Sequence, residues 1–162
     1  MNVVILLKIL LLIVIANGAP ILAKKIFNNR FAHPIDFGIK FVDHQPLLGP
    51  AKTYRGLLAS ILATSIAALA LSLPVYVGGL IALFAMLGDL ISSFTKRRLG
   101  IASSDMALGL DQVPESLLPL IVIHSKYQLD GADIILAVVA FFAIELLLSR
   151  VLYNLKIRDR PY

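Results

Sequence analysis

Apolar positions along this chain gather into five blocks separated by polar breaks. The first, about 3–23, is apolar throughout except for Lys8. The second, about 56–73, carries no charge and ends at Pro74, which marks a tight turn. The third, about 75–94, contains one acid, Asp89. The fourth, about 113–129, is the least regular, with Glu115, Pro119, His124 and Lys126 inside it, and its purely apolar part is short enough for a re-entrant segment. The fifth, about 132–153, contains Glu145. Blocks of roughly 17–25 apolar residues are the length of a membrane-crossing helix. The pattern therefore predicts an all-α membrane protein of about five transmembrane helices, forming a single domain over 1–162.

Two polar segments interrupt the pattern, 24–55 and 95–112. The first is punctuated by Pro34, Gly38, Pro46, Gly49 and Pro50, which predicts irregular backbone. Its Phe31, Phe37, Phe41, Leu47 and Leu48 supply apolar anchors, and a connection of that length is expected to be ordered and functional. Lys8 lies within the first apolar block rather than before it, where it can snorkel, which argues against a cleaved signal peptide.

The composition agrees: 59% of the 162 residues are hydrophobic, and the mean hydropathy is +0.87, well above that of a soluble globular protein. There is no cysteine, which excludes disulfides and thiolate metal sites. The net charge of +5 raises nucleic acid as a partner, but its distribution points elsewhere. Lys24, Lys25, Arg30, Lys40, Lys52 and Arg55 fall in the first loop, Lys96, Arg97 and Arg98 in the second, and Arg150, Lys156, Arg158 and Arg160 at the carboxyl end. That puts thirteen of the fifteen cations on one side of a five-span chain, with Lys8 and Lys126 the exceptions. By the positive-inside rule the amino terminus is outside and the carboxyl terminus cytoplasmic, and both polar segments are cytoplasmic loops. An integral protein of the cytoplasmic membrane with its site facing the cytoplasm follows, with no nucleic acid as partner. Nothing in the sequence sets an oligomeric state.

The chemistry concentrates between Gly88 and Asp111. If the third helix continues beyond Phe94, turning about 100° per residue, Asp89, Ser93, Lys96 and Arg97 fall within about 100° of one another on one face, and Arg98 falls opposite. An ionised intramembrane acid is expected to face protein and to have a cationic partner. Lys96 or Arg97 is the local choice for Asp89, and a purely structural ion pair is the plainer reading. Asp111 opens the fourth block, where helix N-capping is its plainer role. Together, two carboxylates beside clustered cations suit Mg²⁺ and a phosphate chain, since Mg²⁺ takes few carboxylates and fills its shell with water and phosphate oxygens. Lys52, Thr53 and Arg55 are phosphate ligands or interfacial anchors; a glycine is missing before Lys52, so the segment is not a Walker loop. His33, Asp36, Asp43 and His44 show no metal-ligand spacing. Glu145 with Arg150 reads as a buried acid with a helix-end cation.

The run GDLISSFTKRRLGI followed by GLDQ resembles the CDP-archaeol synthase family of membrane cytidylyltransferases, and more distantly the CTP:phosphatidate cytidylyltransferases. The shared pattern is an Asp followed by Ser, Lys and Arg at offsets of four, seven and eight, here Asp89, Ser93, Lys96 and Arg97, then a Leu-Asp pair, here Leu110-Asp111. Asn17-Gly18-Ala19-Pro20, Pro34-Ile35-Asp36-Phe37-Gly38 and Lys52-Thr53-Tyr54-Arg55-Gly56 extend the resemblance over nearly the whole chain. It implies that a lipid phosphate attacks the α-phosphorus of CTP with Mg²⁺, giving a CDP-lipid and pyrophosphate. It implies Asp89 and Asp111 as catalytic metal ligands with Lys96. Lys52, Thr53, Arg55, Ser93, Arg97 and Asn17 match positions expected to contact substrate. One departure stands out. Where the family places a second Asp two residues beyond Gln, this chain has Pro114 and then Glu115. A small transporter using Asp89 and Glu145, or a non-catalytic scaffold, are the alternatives; both would leave the cations beside Asp89 without a purpose.

Overall fold

The protein is described here by a computed structural model covering residues 2–103 and 105–157. It contains five helices: α1 (Val3–Phe27), α2 (Tyr54–Ala70), α3 (Val75–Arg98), α4 (Gln112–Tyr127) and α5 (Gly131–Asn154). Three of them, α1, α3 and α5, are long and apolar enough to cross a membrane. α2 is apolar but only 17 residues long, and α4 has 16. Arg158 and Arg160 of the basic tail lie outside the described residues.

The hydrophobic blocks thus become helices with shifted ends. α1 runs four residues past the predicted limit, carrying Lys24 and Lys25 on its last turn, where cations meet the negative end of the helix dipole. α2 stops at Ala70, because residues 71–74 turn the chain into α3. α3 continues to Arg98, as the shared face of Asp89, Ser93, Lys96 and Arg97 requires. Asp130 and Asp133 form a reciprocal capping box that starts α5.

α3 is the centre of the bundle, packing on α1, α2 and α4, while α5 touches only α4 and α1. The core joins Ile9 and Leu12 of α1 with Ile81 of α3, Leu120 of α4 and Phe141 of α5. Lys8 does not simply reach the interface: its Nζ donates to the carbonyl of Leu71 at 2.8 Å, satisfying the end of α2. Lys126, the other stray cation, donates to the hydroxyl of Tyr76 at the start of α3.

Two glycines of α3 set the spacing of its neighbours. A Cβ on Gly78 would lie 2.5 Å from the carbonyl oxygen of Thr64 and 2.8 Å from Ser65 Cα, so α2 crosses in direct backbone contact. A Cβ on Gly88 would lie 2.3 Å from the carbonyl oxygen of Pro114 and 2.7 Å from the nitrogen of Glu115. Small residues allow such approach between helices in membranes, where packing replaces the hydrophobic drive. Pro114 suits its place in the first turn of α4, where its missing N–H leaves no intrahelical bond unmade. Gly88→Ala should therefore destabilise the protein by about 1–3 kcal/mol through overpacking. The neighbouring control Gly79→Ala, whose Cβ would meet only Ser65 Oγ at 3.5 Å, should be neutral. Thermal unfolding of both variants in detergent measures the difference.

Candidate active site

At the end of α3, the two polar loops and the flanking helices enclose a cavity of about 790 Å³. Asp89, Ser93, Lys96 and Arg97 all line it, as does Asp111. Lys52, Thr53, Arg55 and Asn17, predicted from separate segments of the sequence, reach the same cavity. So do Glu115 and Glu145, to which the sequence assigned no definite role.

The ion pairs differ from the local expectation. Asp89 is bound by Lys52, whose Nζ donates to Oδ1 at 2.6 Å and to Oδ2 at 2.7 Å. Lys96 instead pairs with Asp111, at 2.7 Å from Oδ1. The reason is geometric: Lys96 extends from the last turn of α3 toward the loop beyond it, where it also donates to the carbonyl of Asp105. Arg97 likewise donates to the carbonyl of Ala102. Both cations thereby fold the α3–α4 loop back on the helix that carries them.

Asp111 occupies the N-cap position of α4 without capping it. Its Oδ2 accepts instead from the N–H of Ala107 at 3.0 Å, and the carboxylate is aimed at Lys96. Glu115, one turn into α4, is buried, and its carboxyl group meets that of Asp89 in hydrogen-bonding contact. It also interacts electrostatically with Glu145 and Lys52. Lys52 therefore faces three acids. Burial alone would push its pKa down, but Asp89 beside it, with Glu115 and Asp111 nearby, holds it above 10.5.

The other predicted residues take defined positions. Thr53 caps α2, its Oγ1 accepting from the N–H of Gly56 at 3.2 Å. Arg55 spends Nη1 on the carbonyls of Asn28 and Arg30 just past the end of α1, which ties the first loop to its own base. Asn17 Nδ2 donates one turn back to the carbonyl of Ile13. Ser93 is fully buried on the cavity wall.

The loop that delivers Lys52 is held at two points. Asp36 gathers the N–H groups of Gly38, Leu48 and Gly49 at 2.9–3.0 Å. Two isolated bridges, Pro34 with Thr53 and Lys40 with Pro46, close the strap around it. Arg98, opposite the site residues as its position on the helix requires, grips the tip of the strap. It pairs with Asp43 at 2.6 Å, donates to the carbonyl of Pro46, and lies over the rings of Phe41 and Phe94. The sequence placed Arg98 opposite the site but gave no sign of this grip, because Asp43 and Pro46 lie more than fifty residues away.

Oxygen donors dominate the acid side of the cavity, as Mg²⁺ requires. Asp89 and Glu115 meet carboxyl to carboxyl, while Lys52 Nζ binds both oxygens of Asp89 and Lys96 Nζ lies 2.7 Å from Asp111 Oδ1. Among the described residues no three Asp, Glu or His side chains are grouped so that together they could hold a metal ion, so an Mg²⁺ here would need water and substrate oxygens for most of its shell.

Comparisons with known proteins give the family. Residues 2–162 match the model of the CarS-like CDP-archaeol synthase family. The chain belongs to that family. It is 38% identical over 135 residues to the CDP-archaeol synthase of Sulfurisphaera tokodaii, covering 80% of this chain and 81% of the relative. It is 35% identical over 154 residues to that of Thermofilum pendens, covering 91% and 76%. A solved structure described as an intramembrane enzyme for archaeal membrane lipids biosynthesis superposes with a TM-score of 0.69 at 33% identity, covering 86% of this chain and 89% of that one. The chain is an integral membrane protein by family, by structural likeness and by its three long apolar helices.

The strap gives a pH test. Burial would raise the pKa of Asp36, but the hydrogen bonds from Gly49, Leu48 and Gly38 outweigh it and hold the pKa below the ordinary 3.8. A depressed carboxylate adds stability that is fully present above its unfolded value and is lost as pH falls through the lower folded value. Proteolysis of the 34–53 segment should therefore stay slow until the pH drops below about 3.8 and accelerate beneath it. Asp36→Asn should show fast cleavage at neutral pH and lose that acid transition.

Proposed function

We propose that the cavity transfers a cytidylyl group from CTP to the phosphate of a membrane lipid of the archaetidic type, giving a CDP-lipid and pyrophosphate. The observation that carries this reading is the meeting of Asp89, Glu115 and Asp111 with Lys52, Lys96 and Arg97 in one cavity at a helix end. Family membership supplies the reaction class. Nucleotidyl transfer asks for alignment and charge neutralisation more than for a protein nucleophile. Among the candidate residues there is no triad and no thiol, and the reaction needs none.

In the mechanism, an oxygen of the lipid phosphate attacks the α-phosphorus of CTP. The bond to the β,γ-pyrophosphate breaks, and that group leaves with the electron pair. Lys52, Lys96 and Arg97 hold the phosphates and offset the charge that builds on the oxygens. Lys52 and Lys96, paired here with Asp89 and Asp111, would turn from those carboxylates to the bound phosphates. Asp89 and Asp111, with Glu115 beside Asp89, would hold Mg²⁺ together with water and phosphate oxygens, and the ion would polarise the phosphoryl oxygens. Glu115, one residue beyond the position of the family's second Asp, thereby supplies the acid that Pro114 does not. Ser93 and Thr53 border the phosphates, and Asn17 borders the acceptor.

Five crossings with the amino terminus outside and the cavity toward the cytoplasm complete the proposal. The supports are the thirteen cations on one side and the match of both polar loops to the cavity walls. α2 and α4 are short for a hydrocarbon core of about 30 Å and cross with their ends drawn into the headgroup region. The absence of native cysteine makes the test clean. Asn2→Cys should react with an impermeant maleimide from outside intact cells, and Ser103→Cys only after lysis.

The activity test uses purified protein in detergent with labelled CTP, Mg²⁺ and a panel of lipid phosphates. A labelled CDP-lipid should form. Asp89→Asn and Asp111→Asn should each lower kcat about a hundredfold or more while the melting temperature holds. Glu115→Gln should raise the Mg²⁺ needed for half-maximal rate. Turnover surviving Asp89→Asn would remove the metal assignment, and no product from any lipid phosphate would remove the function.

A further inference from the structure

The strap that delivers Lys52 turns apolar side chains away from the protein. Phe37, Ile39, Phe41 and Val42 are all exposed, Val42 to 85% and Phe37 to 75%. None of the four lines the cavity. Phe37 also holds a left-handed backbone, with φ at 49°, which a bulky side chain rarely adopts. The acids of the strap are engaged elsewhere. Asp36 is buried under three N–H groups, and Asp43 is paired with Arg98. Lys40, between Ile39 and Phe41, is exposed.

Two ring contacts fix where this patch lies. Phe37 packs on Tyr54 of α2, ring centroids 5.8 Å apart, and Phe41 packs edge-on against Phe94 of α3 at 5.3 Å. Tyr54 begins a stripe along α2, followed at four-residue spacing by Leu58, Leu62 and Ile66, all exposed. On α3, Leu83, Leu87 and Ile91 form a second exposed stripe, which runs on at helical spacing to Phe94 and Arg98. Exposed apolar helix faces of an integral membrane protein meet lipid. The strap is therefore stitched across the cavity ends of two lipid-facing stripes, by one aromatic pair on each.

We propose that the strap docks on the bilayer surface. Phe37, Ile39, Phe41 and Val42 enter the boundary between headgroups and hydrocarbon on the cavity side, and Lys40 turns to the lipid phosphates. The occupant is lipid because the patch continues two faces that lipid already covers. Its charge agrees: with both acids engaged, apolar surface and a cation are what it offers, the combination that interfacial segments use. Docking also serves the site. The strap that brings Lys52 to Asp89 is held by Asp36 from within and by the bilayer from outside.

The chain contains no tryptophan, so a single introduced indole reports alone. Val42→Trp and Phe37→Trp place it in the patch, and at both positions the native side chain is exposed, so no core residue is displaced. Leu62→Trp, midway along the exposed stripe of α2, is the reference for the hydrocarbon. Each full-length variant is reconstituted in vesicles of mixed zwitterionic and anionic phospholipid, at a high and a low protein-to-lipid ratio. Both patch indoles are expected to emit at shorter wavelength than N-acetyltryptophanamide in buffer, and iodide should quench them about fivefold less, as for side chains about 5–10 Å into the headgroup boundary. Lipids brominated near the headgroup should quench them more than lipids brominated near the chain end. Leu62→Trp should show the opposite order.

Emission and iodide quenching like those of the free compound would overturn the docking and turn the patch to water, or to a protein absent from the vesicles. Protection that is lost at the low protein-to-lipid ratio would assign the patch to a second copy of the chain and overturn it equally. The two patch positions are independent, so if one variant misfolds, as its melting temperature would show, the other decides. None of these readings needs turnover, so the docking is tested apart from the proposed function.

Discussion

The contact between α3 and α4 at Gly88 is the constraint on which the site depends. Backbone meets backbone there, with no room for even one methyl group. The residue after Gly88 is Asp89, and the residue after Pro114 is Glu115. Pressing Pro114 into Gly88 therefore brings two acids of different helices together. Move α4 outward by the width of a side chain and Glu115 no longer reaches Asp89. Glycine at 88 and proline at 114 do not contact substrate in the proposed reaction; they set the separation of the groups that do.

Two carboxyls pressed together in a partly buried place repel each other unless cations or protons balance them. Lys52 provides the balance, and it comes from neither helix. It reaches Asp89 from a loop whose shape depends on Asp36 inside and Arg98 outside. The stability of the strap and the electrostatics of the site are one problem, since losing the strap would leave Asp89 and Glu115 uncompensated. The same arrangement leaves the site ready for an anionic ligand. Its lysines are already aimed inward and already desolvated, so phosphate need only exchange for carboxylate as their partner.

How much of this was legible in the sequence follows the range of each interaction. Hydropathy located all five helices, because burial in an apolar medium acts on contiguous residues. Helical periodicity placed Asp89, Ser93, Lys96 and Arg97 together and set Arg98 apart, because that geometry is local to α3. It failed where a choice between partners was needed. Lys96 and Lys52 were both within reach of an acid, and periodicity could favour only the nearer in sequence. Lys52 lies thirty-seven residues from Asp89 and won through the fold of the strap. The N-cap expectation for Asp111 failed for a related reason. A cap is a local preference worth about 1 kcal/mol, and the buried ammonium of Lys96 is the stronger claim on that carboxylate. Glu145 was invisible as a site residue because its relevant neighbour, Glu115, lies on another helix.

The position at which this chain leaves its family's motif lies at the same contact that opens the site. Proline removes the N–H, and its carbonyl sits in the space glycine leaves. The acid moves one residue on, to Glu115, which turns it about 100° around α4. Glu115 meets Asp89 from there. Backbone packing and acid placement thus meet at adjacent residues: the Pro114 carbonyl packs against Gly88, and Glu115 lines the cavity beside Asp89.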